Sequence, residues 1–170
     1  MDAQFRRKAV AQCLEQADQP ISATALASRF SVSRQIIVGD IALLRAGGLE
    51  IAATPRGYVL PKSHDGIVKK VACVHGAEDT GRELEIMVDN GCIVLDVLVE
   101  HAVYGHLNGQ LHLSSRYDVQ QFLEKVSSSD SLPLSSLTRG VHLHTLCCPD
   151  EAAYQRVIEQ LRQAQFLYES

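Results

Sequence analysis

The polar run Pro61-Lys62-Ser63-His64-Asp65-Gly66 separates two stretches with different hydrophobic periods. Before it, apolar residues recur mainly at helical spacing. After it, short apolar strand-like runs are interleaved with helical ones. The 170 residues therefore read as two small domains, 1–60 and 66–170.

In the first domain, residues 5–16 read as a helix with Phe5, Ala9, Val10 and Leu14 on or near one face. Pro20 interrupts the pattern. Ser22 is placed to cap a short helix, 23–29, followed by Phe30. Ser31-Val32 makes a tight turn, and Ser33 caps a third helix, 34–46, in which Ile37, Ile41 and Leu44 form an apolar stripe. Gly47-Gly48 stops it, and residues 49–60 read as two short strands about a Pro55-Arg56-Gly57 turn. Helix, helix, turn, helix and hairpin is the order of a winged helix-turn-helix, whose second motif helix enters the major groove of DNA. The side chains that would reach bases are Ser33, Arg34, Gln35 and, one turn on, Val38. Arg pairs with guanine through two bonds, Gln does so with adenine, and Val meets a thymine methyl. Arg45 and Arg56 suit phosphates, which add affinity without sequence information. A winged helix can also serve protein contacts alone, but an exposed Arg-Gln pair at that helix start favours operator DNA as the partner. Charge runs the same way: residues 1–60 carry net +2 and residues 61–170 net −6, within the −4 of the whole chain.

The second domain reads as strand 67–75, helix 79–90, strand 92–100, strand 106–113, helix 115–126, a Ser-rich loop 127–136, strand 140–147 and a last helix 149–165. This βαββαβ succession predicts an α+β, ferredoxin-like split unit with an extra C-terminal helix, with spatial strand order 4-1-3-2.

His142 and His144 stand two apart on the last strand and so share a face. In that expected order, His75 ends the neighbouring first strand, and Glu83 lies one turn inside the helix after it. Three imidazoles and one carboxylate would then converge at one edge, a donor set suited to zinc, nickel or ferrous iron. An adventitious surface cluster of histidines is the competing reading. The five cysteines, at 13, 73, 92, 147 and 148, form no CxxC pair and read as buried free thiols. No apolar run approaches the length of a membrane span, and residues 1–12 lack the apolar core of a secretion signal, so no membrane partner and a cytoplasmic location are expected.

With these residues in place, the chain resembles the bacterial nicotinic-acid-responsive repressors of NAD-biosynthesis and niacin-uptake genes, which join a winged helix to a three-histidine (3H) domain. The segments VSRQIIVGDIALLR, VEHAVYG, LSSRYDV and GVHLHT carry the resemblance, with His75 and Glu83-Leu84 between them. Ala102 departs from a usual Pro, Gly39 from a usual polar residue, and Arg139 from a common Gly. The resemblance implies a transcriptional repressor, not an enzyme. It implies a divalent metal at His75, Glu83, His142 and His144, nicotinic acid as corepressor, and a homodimer on a palindromic operator. Two alternatives are a metal-responsive repressor and a metal-dependent hydrolase fused to a winged helix. For the nicotinate carboxylate, Arg116 is the expected ligand-binding partner, because it follows the third strand, read as parallel to the first and so ending at the His75 edge, and sits at a helix start. The 4-1-3-2 order puts His101 at the opposite edge, away from the metal.

Overall fold

The computed structural model describes residues 2–62 and 64–169. The chain divides into two compact units, 1–63 and 64–170, and the division falls within the polar run.

The first unit contains α1 (Ala3–Gln16), α2 (Ala23–Phe30), α3 (Arg34–Ala46) and a hairpin of β1 (Ala52–Thr54) and β2 (Gly57–Val59). Each helix start of the motif has its capping serine. Ser22 Oγ accepts from the Ala25 amide at 3.0 Å, and Ser33 Oγ from the Ile36 amide at 3.3 Å. Between them, Ser31 takes the left-handed conformation at φ 53° and makes the sharp turn. Val10, Leu14, Leu26, Ile37, Ile41 and Ile51 fill the core. Asp40 of α3 is buried and bonded by Arg6 of α1 through Nε at 2.6 Å and Nη2 at 3.3 Å, which fixes the two helices against each other. The hairpin gains a third short segment, because Ile21 and Tyr58 exchange amide-to-carbonyl bonds of 2.9 Å. Gly57, at φ 139°, permits this approach, since a Cβ there would collide with the Ile21 carbonyl.

The second unit contains β3 (Ile67–Val74), α4 (Thr80–Asp89), β4 (Ile93–His101), β5 (Gly105–Leu113), α5 (Arg116–Ser128), β6 (Val141–Cys148) and α6 (Glu151–Gln163). The α+β class, the βαββαβ succession and the extra C-terminal helix match the sequence reading. The ferredoxin strand order does not. The sheet runs β3-β6-β4-β5, and every neighbouring pair is antiparallel. The last strand is inserted between the first and second instead of lying outside the first. Burial gives the reason. β6 carries no Lys, Arg, Asp or Glu and is the most buried strand of the sheet, so it occupies an interior position. β3 carries Lys69, Lys70 and an exposed Val68, which an edge tolerates. Beyond β3, the segment after α6 pairs with its outer edge: the Tyr168 amide donates to Ala72 O at 2.9 Å, and the Val74 amide to Phe166 O at 2.8 Å. Val71, Val94, Leu113 and Leu146 of the sheet pack with Leu84 and Met87 of α4, Val119 of α5, and Val157 and Leu161 of α6 in one core.

Candidate metal centre and DNA-facing helix

On β6 the even-numbered residues face the helices, so His142 and His144 point inward and are almost fully buried. The chain leaves β3 at Val74, and the His75 amide donates to Gly140 O at 3.3 Å, which brings the end of β3 against the start of β6. Gly140 is required there. It sits at φ 90°, and a Cβ would collide with the His75 carbonyl. α4 begins after a short 3-10 turn, Ala77–Asp79, and its first turn lowers Glu83 onto the same place, fully buried.

The three imidazoles surround this carboxylate. His75 Nε2 lies 2.8 Å from Glu83 Oε2, while His142 Nε2 and His144 Nε2 lie 2.9 and 3.4 Å from Oε1. Each ring is oriented from behind by a main-chain carbonyl. His75 Nδ1 donates to Gly76 O at 2.7 Å, His142 Nδ1 to Gly140 O at 2.9 Å, and His144 Nδ1 to Asp96 O at 2.7 Å. Spending each Nδ1 proton on a carbonyl leaves the Nε2 lone pair as the free function of a neutral ring, the form in which histidine ligates metals. Three such lone pairs facing a carboxylate repel it unless a cation or added protons stand between them. His75 Nε2 and Glu83 Oε2 are buried atoms without a hydrogen bond of proper geometry, in spite of their 2.8 Å separation. Burial works against charge on Glu83, but the facing imidazoles, His144 first, hold its carboxyl well below the usual carboxylate range. Burial likewise opposes charge on His75 and His144, and the Glu83 carboxylate outweighs it and raises both. An anionic carboxylate with one oxygen bonded to His142 Nε2 and the other left without a hydrogen bond, ringed by fixed imidazole nitrogens, is a donor set that a divalent transition cation fits.

The structure thus brings His75, Glu83, His142 and His144 together and adds a residue the sequence reading passed over. Cys73 is fully buried, directly opposite His142 in the β3–β6 register. Its sulfur, a Glu83 oxygen and a His142 nitrogen all lie within 4.8 Å of one another. The signal was present as Cys73-Val74-His75, a period-two spacing that mirrors His142-Leu143-His144. The other cysteines are free, with Cys92, Cys147 and Cys148 buried and Cys13 half-buried.

Arg116 does not reach this cluster, which corrects the expectation for it. β5 runs antiparallel to β4, and β4 runs parallel to β3 through the intervening β6, so β5 ends at the far end of the sheet from His75. Arg116 instead grips Asp89 at the end of α4, with Nε and Nη2 at 2.8 and 2.6 Å, and lies 3.5 Å from Glu85. The helix start it occupies is capped from within by Ser115. Arg82 lies at the His75 end, with its guanidinium 5.4 Å over the Phe166 ring, itself 5.0 Å from His75. His101 also lies elsewhere than expected, at the same end of the sheet as the start of β6, because β4 adjoins β6. Its Nδ1 accepts the amides of Val103 and Tyr104 at 3.2 and 3.3 Å and organises the β4–β5 turn, while the imidazoles around Glu83 are the other three.

In the first unit, Arg34 and Gln35 are exposed on the first turn of α3, and Val38 is half-buried. Ser33 is the cap itself. Arg45 is anchored, with Nε donating to Ile51 O at 2.9 Å and the guanidinium 5.9 Å over Tyr58, so it ties α3 to the hairpin. Arg56 is half-buried in the hairpin turn, where its amide donates to Thr54 Oγ1. Gly39 is exposed on α3, and a Cβ added there would meet nothing within 4 Å.

A helix-turn-helix unit followed by an α+β unit with a buried histidine–carboxylate cluster is the build of a two-domain regulator. Comparison with known proteins agrees: an HTH domain matches residues 6–59 and a 3H domain residues 68–170. The chain is 43% identical over 166 residues to the probable transcription repressor NiaR of Thermotoga maritima, covering 98% of this chain and 95% of that protein. It is 40% identical to the transcription repressor NadR of Bacillus subtilis (strain 168), covering 95% and 92%. The chain belongs to this family of HTH–3H transcription repressors.

Proposed function

We propose that this protein is a transcriptional repressor of NAD-biosynthesis or niacin-uptake genes, and that as a homodimer it binds operator DNA when nicotinic acid is sensed at a divalent transition metal. His75, Glu83, His142 and His144 hold the metal. The observation that carries the reading is the set of three Nδ1–carbonyl bonds that aim three Nε2 atoms at Glu83, whose Oε2 lacks a hydrogen-bond partner. When bound, the metal (nickel, zinc or ferrous iron) supplies an open coordination position for a pyridine nitrogen. The protein's own groups do the rest. The imidazoles stay in one tautomer, the burial of Glu83, His142 and His144 keeps water from them, and Arg82 at the His75 end supplies a positive charge for the carboxylate of a pyridine carboxylate. Arg34, Gln35 and Val38 read bases from α3, with Ser33 at its cap, and Arg45 and Arg56 contact phosphates. The relatives are named as repressors, which supports a regulator and not an enzyme. No helix among the described residues is long and apolar enough to cross a membrane.

The test is operator binding by metal-loaded and metal-stripped protein, each with and without nicotinic acid. Tight binding only with both metal and nicotinic acid is expected. Tight binding with metal alone would instead make the metal the effector, and binding indifferent to both would remove the sensor reading altogether.

A further inference from the structure

Cys73 stands directly opposite His142 in the β3–β6 register and is buried on the same face as the histidines. It is fully buried, so exposure to partners or oxidants is not its purpose. Its sulfur lies within 4.8 Å of both a Glu83 oxygen and a His142 nitrogen. Neighbouring donor atoms around one five- or six-coordinate transition-metal ion are themselves roughly 3–4 Å apart, given metal–ligand bonds of about 2.0–2.3 Å. Small side-chain rotations therefore suffice to bring the sulfur onto the same ion as these two partners. A second, independent observation points the same way: Glu83 Oε2 and His75 Nε2 are buried in this place without a hydrogen-bonding partner, so the pocket is short of a cation.

We propose that Cys73 is a thiolate donor to the metal held by His75, Glu83, His142 and His144, and that it makes the site selective for a thiophilic divalent transition ion. The inference rests on the metal reading of this cluster. Binding breaks the Cys73 S–H bond and forms a metal–sulfur bond; the proton leaves to solvent, and no electron is transferred. A carboxylate and a thiolate then balance the two positive charges, which a buried site requires. Soft sulfur favours zinc, cobalt or nickel over magnesium, calcium and manganese, which histidine and carboxylate alone discriminate less well.

Cobalt(II) titration of the metal-stripped full chain tests this by absorption spectroscopy. Visible ligand-field bands report that the ion is bound, and an intense near-ultraviolet sulfur-to-cobalt charge-transfer band reports a thiolate bound to it. Both are expected in the wild type, and Cys73→Ser is expected to keep the visible bands and lose the ultraviolet one. Visible bands without a charge-transfer band in the wild type would overturn the role of Cys73 and leave the metal site standing. No retained cobalt would overturn both. Should Cys73→Ser fold poorly, X-ray absorption of the zinc-loaded wild type decides. A sulfur shell at about 2.3 Å supports the proposal, and a first shell of nitrogen and oxygen alone overturns it.

Discussion

Glu83 is the residue on which the second unit's chemistry converges, because every imidazole of the cluster faces one of its two oxygens. Glu83→Gln keeps the shape and removes the charge. It is expected to lower metal affinity by more than about 10–100-fold, since losses of that size already follow from disturbing groups behind the ligands. Metal content after dialysis checks this, and wild-type retention would contradict the ligand set. The two arginines make a second prediction. Arg82→Ala is expected to weaken nicotinic acid binding while metal stays bound, whereas Arg116→Ala should leave both unchanged, because its guanidinium is occupied by Asp89. Nicotinamide, which lacks the charge, should bind the wild type more weakly than nicotinic acid. Calorimetry on the two variants and two ligands separates these outcomes. From the sequence, the four donors were legible as residue types with matching periods. Arg116 was misplaced because the strand before it runs antiparallel to the first strand, and residue spacing does not report strand direction.

At the scale of elements, α3 is the piece on which operator recognition depends, and two of its residues pull stability and function apart. Ser33→Ala removes the bond to the Ile36 amide and should cost about 1 kcal/mol of stability in the first unit. Gly39→Ala should do the reverse. Its Cβ meets nothing within 4 Å, and alanine is favoured over glycine in a helix interior by about 0.8–1 kcal/mol. The same methyl would project from the face turned away from the Ile37–Ile41 core, so the stabilised variant is expected to show altered operator affinity. Denaturant titration with DNA-binding assays on both variants checks this; unchanged DNA binding by Gly39→Ala would show that this face does not approach the groove. The helices of this unit lie close to where periodicity and capping put them, because a helix is closed by bonds between near neighbours in sequence. The strands of the second unit were also legible one by one. Their order was not, since β6 bonds to β3 and β4 from far along the chain.

At the scale of the whole molecule, one winged helix offers a small footprint, and two-fold proteins match two-fold operators. Light scattering is therefore expected to give twice the 18.6 kDa of one chain at micromolar concentration. A single-chain mass, with and without nicotinic acid, would contradict the homodimer. The sequence by itself determined the two-part division, the helix-turn-helix and its caps, the α+β class, the βαββαβ succession and the four residues that meet at the cluster. All of these follow from local rules: period, capping and the face a side chain takes on a strand. Only the tertiary structure decided the β3-β6-β4-β5 order. That order put β4 beside β6, which seats His144 Nδ1 on Asp96 O and brings His101 beside the start of β6. The physical reason is that backbone hydrogen bonds join strands without regard to side-chain identity. A period of two says which face a residue occupies, and the burial available to each strand in the folded sheet decides who stands beside it.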